Sequence, residues 1–306
     1  MVVGESPLKD AYRLVVWGPW RRALEAAPPG WEIRASRALG MAAGSFPTDA
    51  RTRVRANLAR AFPELPDAAR SRIARQGFAA HFSNQYASFS FGKVTPRSSE
   101  RYVRWEGLEH LDAARADGVG VVLVHPHMGP AQLPLCALGA AGWPVHQVGG
   151  GVTTTEKSRV GVWATRTRSR LEVRLPATLH DGRTYLRACL RALARGEIVL
   201  TAGDGTGGGV ELGRRVTLPV LGHPFRVPVF PAWLAHRGGA RLHTLTCTPE
   251  GSRHVARIGP ALPITGDEAQ DARSLAAWLD LTLRTHPGDW LLWDAFEPGQ
   301  LLEGPA

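Results

Sequence analysis

The chain of 306 residues has three cysteines and three lysines. It also has no apolar run approaching the ~18 to 20 residues needed to cross a bilayer as a helix. Each shortage excludes something. Cys136, Cys189 and Cys247 are far apart, odd in number and form no CxxC pair. Neither a disulfide framework nor a thiolate metal site is expected; they read as reduced core cysteines, which fits a cytosolic compartment best. Lysine is confined to Lys9, Lys93 and Lys157, so the net charge of +10 is carried almost wholly by arginine. Arginine binds phosphate in bidentate fashion, and the charge points to an anionic partner such as a phospholipid surface or a phosphorylated substrate. Nucleic acid is not expected, because no aromatic RNA-binding signature or helix-turn-helix cue accompanies the arginines. Met1 to Asp10 is polar, so no secretory signal is expected. The glycine-rich stretch Gly203 to Gly209 lacks the endings of a P-loop or a dinucleotide fingerprint, although its backbone can approach a ligand closely. There is no G-x-S-x-G elbow, which argues against an α/β-hydrolase. No HExxH accompanies His125 and His127, so no metal is expected.

What is present reads as a globular chain with 44% hydrophobic and 21% charged residues. A single domain over 1–306 is expected, with a helical, membrane-proximal part at 1–95 and an α/β core at 100–290. Leu8 to Ala27 has a basic, Trp-bearing helical pattern broken near Gly18-Pro19. Two roles fit Trp17 and Trp20: anchors at a membrane interface, or packing of the helical hairpin onto the rest of the fold. The interface role predicts peripheral, cytoplasm-facing association with the inner membrane. Further helices are expected from Trp31 to Ala43, from a cap at Thr48 or Asp49 to before Pro63, and from Asp67 to about Phe91. After Arg101, strands at Gly120–Val124, Val145–Val148, Leu171–Leu175, Ile198–Ala202 and Leu242–Thr248 alternate with helices. The helices fall near Ala131–Ala141, Thr155–Arg168, Gly182–Ala194 and Pro228–Arg237, with a last one over Asp267–Thr285. That alternation predicts an α/β fold: a mostly parallel central sheet flanked by helices, with an N-terminal helical hairpin.

The chemistry concentrates in Gly120-Val-Val-Leu-Val-His-Pro-His-Met-Gly-Pro-Ala-Gln132. An apolar strand ends in a turn carrying His125 and His127, and a helix follows. Ligands of open α/β sheets bind beyond the carboxyl ends of the strands, where a histidine is placed to take a proton from a hydroxyl. Four residues separate His127 from Gln132, a spacing at which Gln132 can reach one ring nitrogen and leave the other free. His125 is a candidate substrate-binding residue; because it precedes Pro126, it has a second reading as a residue that shapes the turn.

This segment resembles the first motif of the lysophospholipid acyltransferase superfamily, a histidine, four residues, then Asp or Glu. The closer resemblance is to the lauroyl/myristoyl lipid A acyltransferases and the phosphatidylinositol mannoside acyltransferase group. There the motif tends to read His-Phe-Gly-Asn-Trp-Glu; here it is His127-Met-Gly-Pro-Ala-Gln132. Other blocks agree in order. They are Arg53 to Glu64, with Asn-Leu and Phe-Pro-Glu; Arg166-Thr-Arg-Ser-Arg170; Leu193 to Asp204; Leu221-Gly-His-Pro224; and Pro231 to Ala240.

The resemblance implies a glycerol-phosphate acyltransferase-like fold and an O-acyltransferase acting at a membrane surface. His127 would deprotonate a hydroxyl of a lysophospholipid, glycolipid or lipid A-like acceptor. That oxygen would attack the thioester of acyl-CoA or an acyl-carrier protein, a co-substrate, and no cofactor is implied. Backbone N–H groups near Gly129 would hold the oxyanion. Arg166, Arg168 and Arg170, joined by Arg159 if the preceding segment is helical, are the candidate phosphate grip; a solvated helix face is the other reading. The departure at Gln132 leaves three alternatives. Gln132 orients His127 as a neutral amide; or Asp204, also beyond a strand end, supplies the acid; or the chain has lost catalysis and binds lipid or acyl carrier.

Overall fold

The computed structural model describes residues 6–149, 157–181, 185–205 and 213–296. The chain begins with a helical layer. In α1 (Pro7–Val15) the Ser6 hydroxyl caps the first turn at Lys9 N, with proline at the first helical position. Gly18-Pro19 interrupts the helix as expected: residues Val16–Trp20 form a π turn before α2 (Arg21–Ala26). Helix α3 (Trp31–Ala43) lies against α5 (Asp67–Tyr86), and α4 (Asp49–Ala61) is capped by Thr48. A Cβ added to Gly40 of α3 would stand 2.6 Å from Ala79 Cα of α5, so glycine permits that approach. Pro66 takes the cap position of α5, and the helix ends at Tyr86 rather than near Phe91, giving way to single 3-10 turns.

The rest runs β1 (Val103–Glu106), α6 (Glu109–Ala116), β2 (Val121–His125), α7 (Gln132–Ala140), β3 (Val145–Gly149), α8 (Arg159–Glu172), β4 (Thr178–Asp181), α9 (Tyr185–Ala194) and β5 (Ile198–Ala202). It continues through β6 (Arg215–Val220), β7 (His223–Pro228), α10 (Phe230–Arg237), β8 (Arg241–Glu250), β9 (Arg253–Leu262) and α11 (Glu268–Thr285). The main sheet has the order β1-β9-β8-β2-β5-β3-β4. All its pairings are parallel except β8 with β9. The fold is thus α/β with a mostly parallel sheet flanked by helices. β6 and β7 form a separate antiparallel hairpin.

Alternation along β2 explains why the sheet is buried on both faces. Val122 and Val124 join Val199, Phe225, Leu234, Leu279 and the C-terminal Trp290 and Trp293. Val121 and Leu123 face the other way, among Leu133, Leu135, Ile198, Leu200 and Ile258.

One expectation is corrected here, and one open alternative is decided. Leu171–Leu175 is not a strand. Helix α8 continues through Glu172, with Leu171 buried and Arg168 paired to Glu172 one turn on. This helical periodicity outweighs the local β propensity, and the strand forms at Thr178–Asp181. The same helix starts at Arg159 under a Ser158 cap; Thr155 and Glu156 lie outside the described residues, as do Gly182 and residues 206–209 of the glycine-rich stretch. Trp17 packs inward: it is 4% exposed, in edge contact with Tyr86 and Phe89. The exposed large hydrophobic residues of α1 are instead Leu8, Tyr12, Leu14 and Val15. No described helix is long and apolar enough to cross a membrane.

Candidate active site

The carboxyl ends of β2 and β5 lie side by side, with His125 opposite Ala202 and Gly203 N–H bonded to the His125 carbonyl at 2.8 Å. The second residue past each strand, His127 after β2 and Asp204 after β5, carries the site. His127 Nδ1–H donates to Asp204 Oδ1 at 2.7 Å. Asp204 Oδ2 accepts the His127 backbone N–H at 2.7 Å and the Trp290 indole N–H at 2.8 Å. The carboxylate is 0% exposed and holds three donors, whereas the His127 side chain is 30% exposed. This arrangement sets the tautomer. With Nδ1 protonated, Nε2 carries the lone pair, and no described group bonds to it.

The electrostatics follow from that geometry. Burial pulls the His127 pKa down, but the charge and hydrogen bond of Asp204 outweigh it, so the imidazole is raised above its ordinary value. For Asp204, burial pushes up, yet the His127 charge and the three hydrogen bonds leave it below the usual carboxylate range. The pair is an ionised acid holding an imidazole that is readily protonated, the balance wanted in a general base.

Gln132 does not reach His127. It opens α7, and its side-chain amide donates to Gln147 Oε1 on β3 at 3.3 Å. A helix beginning at Gln132 turns that side chain towards β3, so the position on His127 Nδ1 falls to Asp204. His125 is buried, and its Nδ1–H donates to the Pro126 carbonyl at 2.8 Å. Burial and the neighbouring His127 depress it to about 4, which keeps it neutral.

Gly129 has a structural duty. Its φ is 55°, and an added Cβ would lie 2.3 Å from the Cys247 carbonyl oxygen. Its N–H donates to Asp289 O at 3.0 Å. The amides of His127, Met128 and Ala131 are also engaged within the protein, and residue 130 is proline. The turn's own amides are therefore not the free oxyanion donors expected from the sequence. Gly129→Ala should destabilise the fold by about 3 kcal/mol or more, the sum of left-handed strain and a backbone clash. Urea unfolding would measure it, and a loss under ~0.5 kcal/mol would contradict this account.

The arginines separate. At 100° per residue, Arg159, Arg166 and Arg170 share one face of α8 with Trp163, and all four are exposed. Arg168 is on the opposite face, bonded to Glu172 Oε1 at 2.8 Å and Gln85 Oε1 at 3.2 Å. Among the described residues, none of the four arginines bonds to His127 or Asp204.

Trp290, Asp289 and Gln147 were missed by sequence reasoning. Trp290 is 163 residues from the turn it touches, and no local spacing announces that. The one available signal is chemical, since a buried indole N–H requires an acceptor.

Comparison with known proteins adds an independent line. The family model described as bacterial lipid A biosynthesis acyltransferase matches residues 13–294. Phosphatidylinositol mannoside acyltransferase of Mycobacterium tuberculosis is similar in two strains. One is 34% identical over 191 residues and the other 32% over 190; each match covers 60% of this chain and 56% of the relative. Lipid A biosynthesis acyltransferase 2 of Shigella flexneri is 28% identical over 115 residues, 38% of this chain and 37% of the relative. The matches thus span little more than half the length of the mycobacterial relatives.

Proposed function

Because the chain belongs to the bacterial lipid A biosynthesis acyltransferase family, we propose that it transfers a fatty acyl group from a thioester donor to a hydroxyl of a glycolipid or lipid A-like acceptor. The observation that carries this is the 2.7 Å contact of His127 Nδ1 with the buried Asp204, which leaves Nε2 without a described partner on a side chain that is 30% exposed. In this reading Nε2 takes the acceptor's hydroxyl proton as the oxygen attacks the thioester carbon. The tetrahedral intermediate collapses, the C–S bond breaks, and the departing thiolate takes up the proton held on the imidazolium. Asp204 favours the charged imidazolium throughout and fixes the ring. No acyl-enzyme forms. The donor is acyl-CoA or an acyl-carrier protein, and the names of the mycobacterial relatives favour a phosphatidylinositol mannoside as the first acceptor to try.

The second reading, a silent homologue that only binds lipid or acyl carrier, was motivated by Gln132. It loses that motive when the carboxylate comes from Asp204.

The membrane contact in this proposal lies on α1 and the outer face of α8, not on Trp17. Leu8, Leu14 and Val15 of α1 are exposed. Beside them α8 presents Trp163 among Arg159, Arg166 and Arg170, and Ser158 Oγ at its cap donates to Asp10 of α1 at 2.6 Å. Apolar side chains ringed by arginine suit peripheral attachment to an anionic bilayer, here the cytoplasmic face of the inner membrane.

The test uses purified protein and His127→Ala with labelled acyl-CoA or acyl-carrier protein and a panel of acceptors in anionic vesicles. Product from the unmodified protein, reduced at least ~10³-fold in the variant, is the expected result. Equal turnover by both proteins would overturn the role of His127. Donor or lipid binding without turnover by either would put the silent reading first.

A further inference from the structure

We propose that Trp290 is a positioning residue of the His127–Asp204 pair, an inference that rests on the acyl-transfer reading only for its kinetic arm. The segment that follows α11 lies against the histidine turn as a short antiparallel clamp. Leu291 N–H donates to the His127 carbonyl at 2.8 Å, Gly129 N–H donates to the Asp289 carbonyl at 3.0 Å, and Met128 and Trp290 face each other between these bonds. The backbone from the His127 carbonyl to the Gly129 amide is thereby held by residues about 160 positions away.

The indole adds what the backbone clamp does not. It is 0% exposed, and its plane is set by edge contacts with Trp293 at 4.8 Å and Phe296 at 6.0 Å. From there Nε1–H reaches Asp204 Oδ2 at 2.8 Å. An indole N–H donates and never accepts, so it stabilises the ionised carboxylate alone. By sharing Oδ2 with the His127 amide, it also dictates which oxygen is left for Nδ1. Trp290 touches neither reacting atom; it acts through Asp204.

Removing only the N–H separates this role from packing. Replacing the indole by isosteric benzothiophene preserves the shape, and Trp290→Phe is the genetically simple counterpart. With one donor fewer, the charge on Asp204 is less dispersed and His127 holds its proton more tightly. The acid limb of kcat/KM should move up by ~0.5 to 1 pH unit, and neutral-pH kcat should fall about tenfold. NMR titration of the His127 ring, which needs no substrate, should show the same upward shift. A limb and a ring titration both unmoved in a folded isostere would overturn the proposal, leaving Trp290 as packing. If the ring titration moves but the unmodified protein transfers no acyl group, positioning stands and the acyl-transfer reading fails. If the isostere does not fold, the same two readouts on Trp290→Phe decide.

Discussion

Asp204→Asn is expected to lower acyl transfer about 10⁴-fold, the loss that the same change causes in the serine-protease triad, without unfolding the protein. The reason is the asymmetry of the donors around the carboxylate. Oδ2 accepts two N–H groups, from the His127 backbone and Trp290, whereas Oδ1 accepts one from His127 Nδ1. An asparagine satisfies the larger number of donors by placing its oxygen at the Oδ2 position. Its NH₂ then faces Nδ1, which has to give up its proton and become an acceptor. The ring proton moves to Nε2, and the base is lost at the atom that should meet the acceptor hydroxyl. The charge that raises the His127 pKa disappears as well, so the histidine titrates lower than in the unmodified protein. Gln132→Ala, by contrast, removes a 3.3 Å contact with Gln147 and should cost less than ~tenfold. Measuring kcat/KM for both variants with one donor and acceptor pair decides between the two candidates for His127's partner. A severe loss in Gln132→Ala with a mild one in Asp204→Asn would reverse the assignment made from the geometry.

That contrast also marks where sequence reasoning reaches and where it stops. The β2 strand, its histidine turn and the start of α7 are legible because an apolar run, a proline-bearing turn and a helix follow one another within a dozen residues. Helix α11 is legible because Leu275, Leu279 and Leu283 repeat at helical spacing under an Asp267 cap. What spacing along the chain does not give is which strand lies beside β2. Two strands and three helices intervene before β5, yet β5 is the neighbour, and its exit delivers Asp204 to His127. The sequence placed Asp204 beyond a strand end but kept Gln132 as the nearer alternative, since four residues is a short reach and 77 is not visibly so. Strands β1 and β9 and the β6–β7 hairpin escaped for a different reason. Arg253 to Leu262 mixes His254, Arg257 and Gly259-Pro260 into its alternation, and pairing with β8 on one side and β1 on the other makes it a strand. On α8 the four arginines looked alike in sequence. Helical geometry sends Arg168 inward to Glu172 and Gln85 and leaves the others on the outside.

Acidification should destabilise the fold well before its carboxylates are neutralised. His125 and His254 are both buried and neutral. Burial, with His127 nearby, depresses His125 to about 4, and burial, with Arg37 nearby, depresses His254 to about 3. A histidine with a depressed folded pKa contributes stability above its unfolded value of about 6.5, and that contribution is lost as pH falls towards the folded pKa. Between pH 6.5 and 4 each of the two loses roughly 3 kcal/mol. Asp289 works against this. Burial raises it to about 6 despite Arg37 and Arg257, so its protonation below pH 6 relieves a buried charge and returns about 3 kcal/mol. His127, being raised, loses its contribution only as pH climbs through its folded value, and does not enter on the acid side. From these three groups the net loss near pH 4 is about 3 kcal/mol, a large part of the ~5 to 15 kcal/mol that holds a typical domain together, and the buried His243, lowered by burial as well, adds to it. Urea unfolding at pH 7.5 and pH 4.5 would read it directly. His254→Leu removes one of these protonation sites, so its stability should fall by about 3 kcal/mol less over that interval than the unmodified protein's. Parallel pH profiles for the two proteins would mean that His254 is reached by protons in the folded state and carries none of the acid sensitivity.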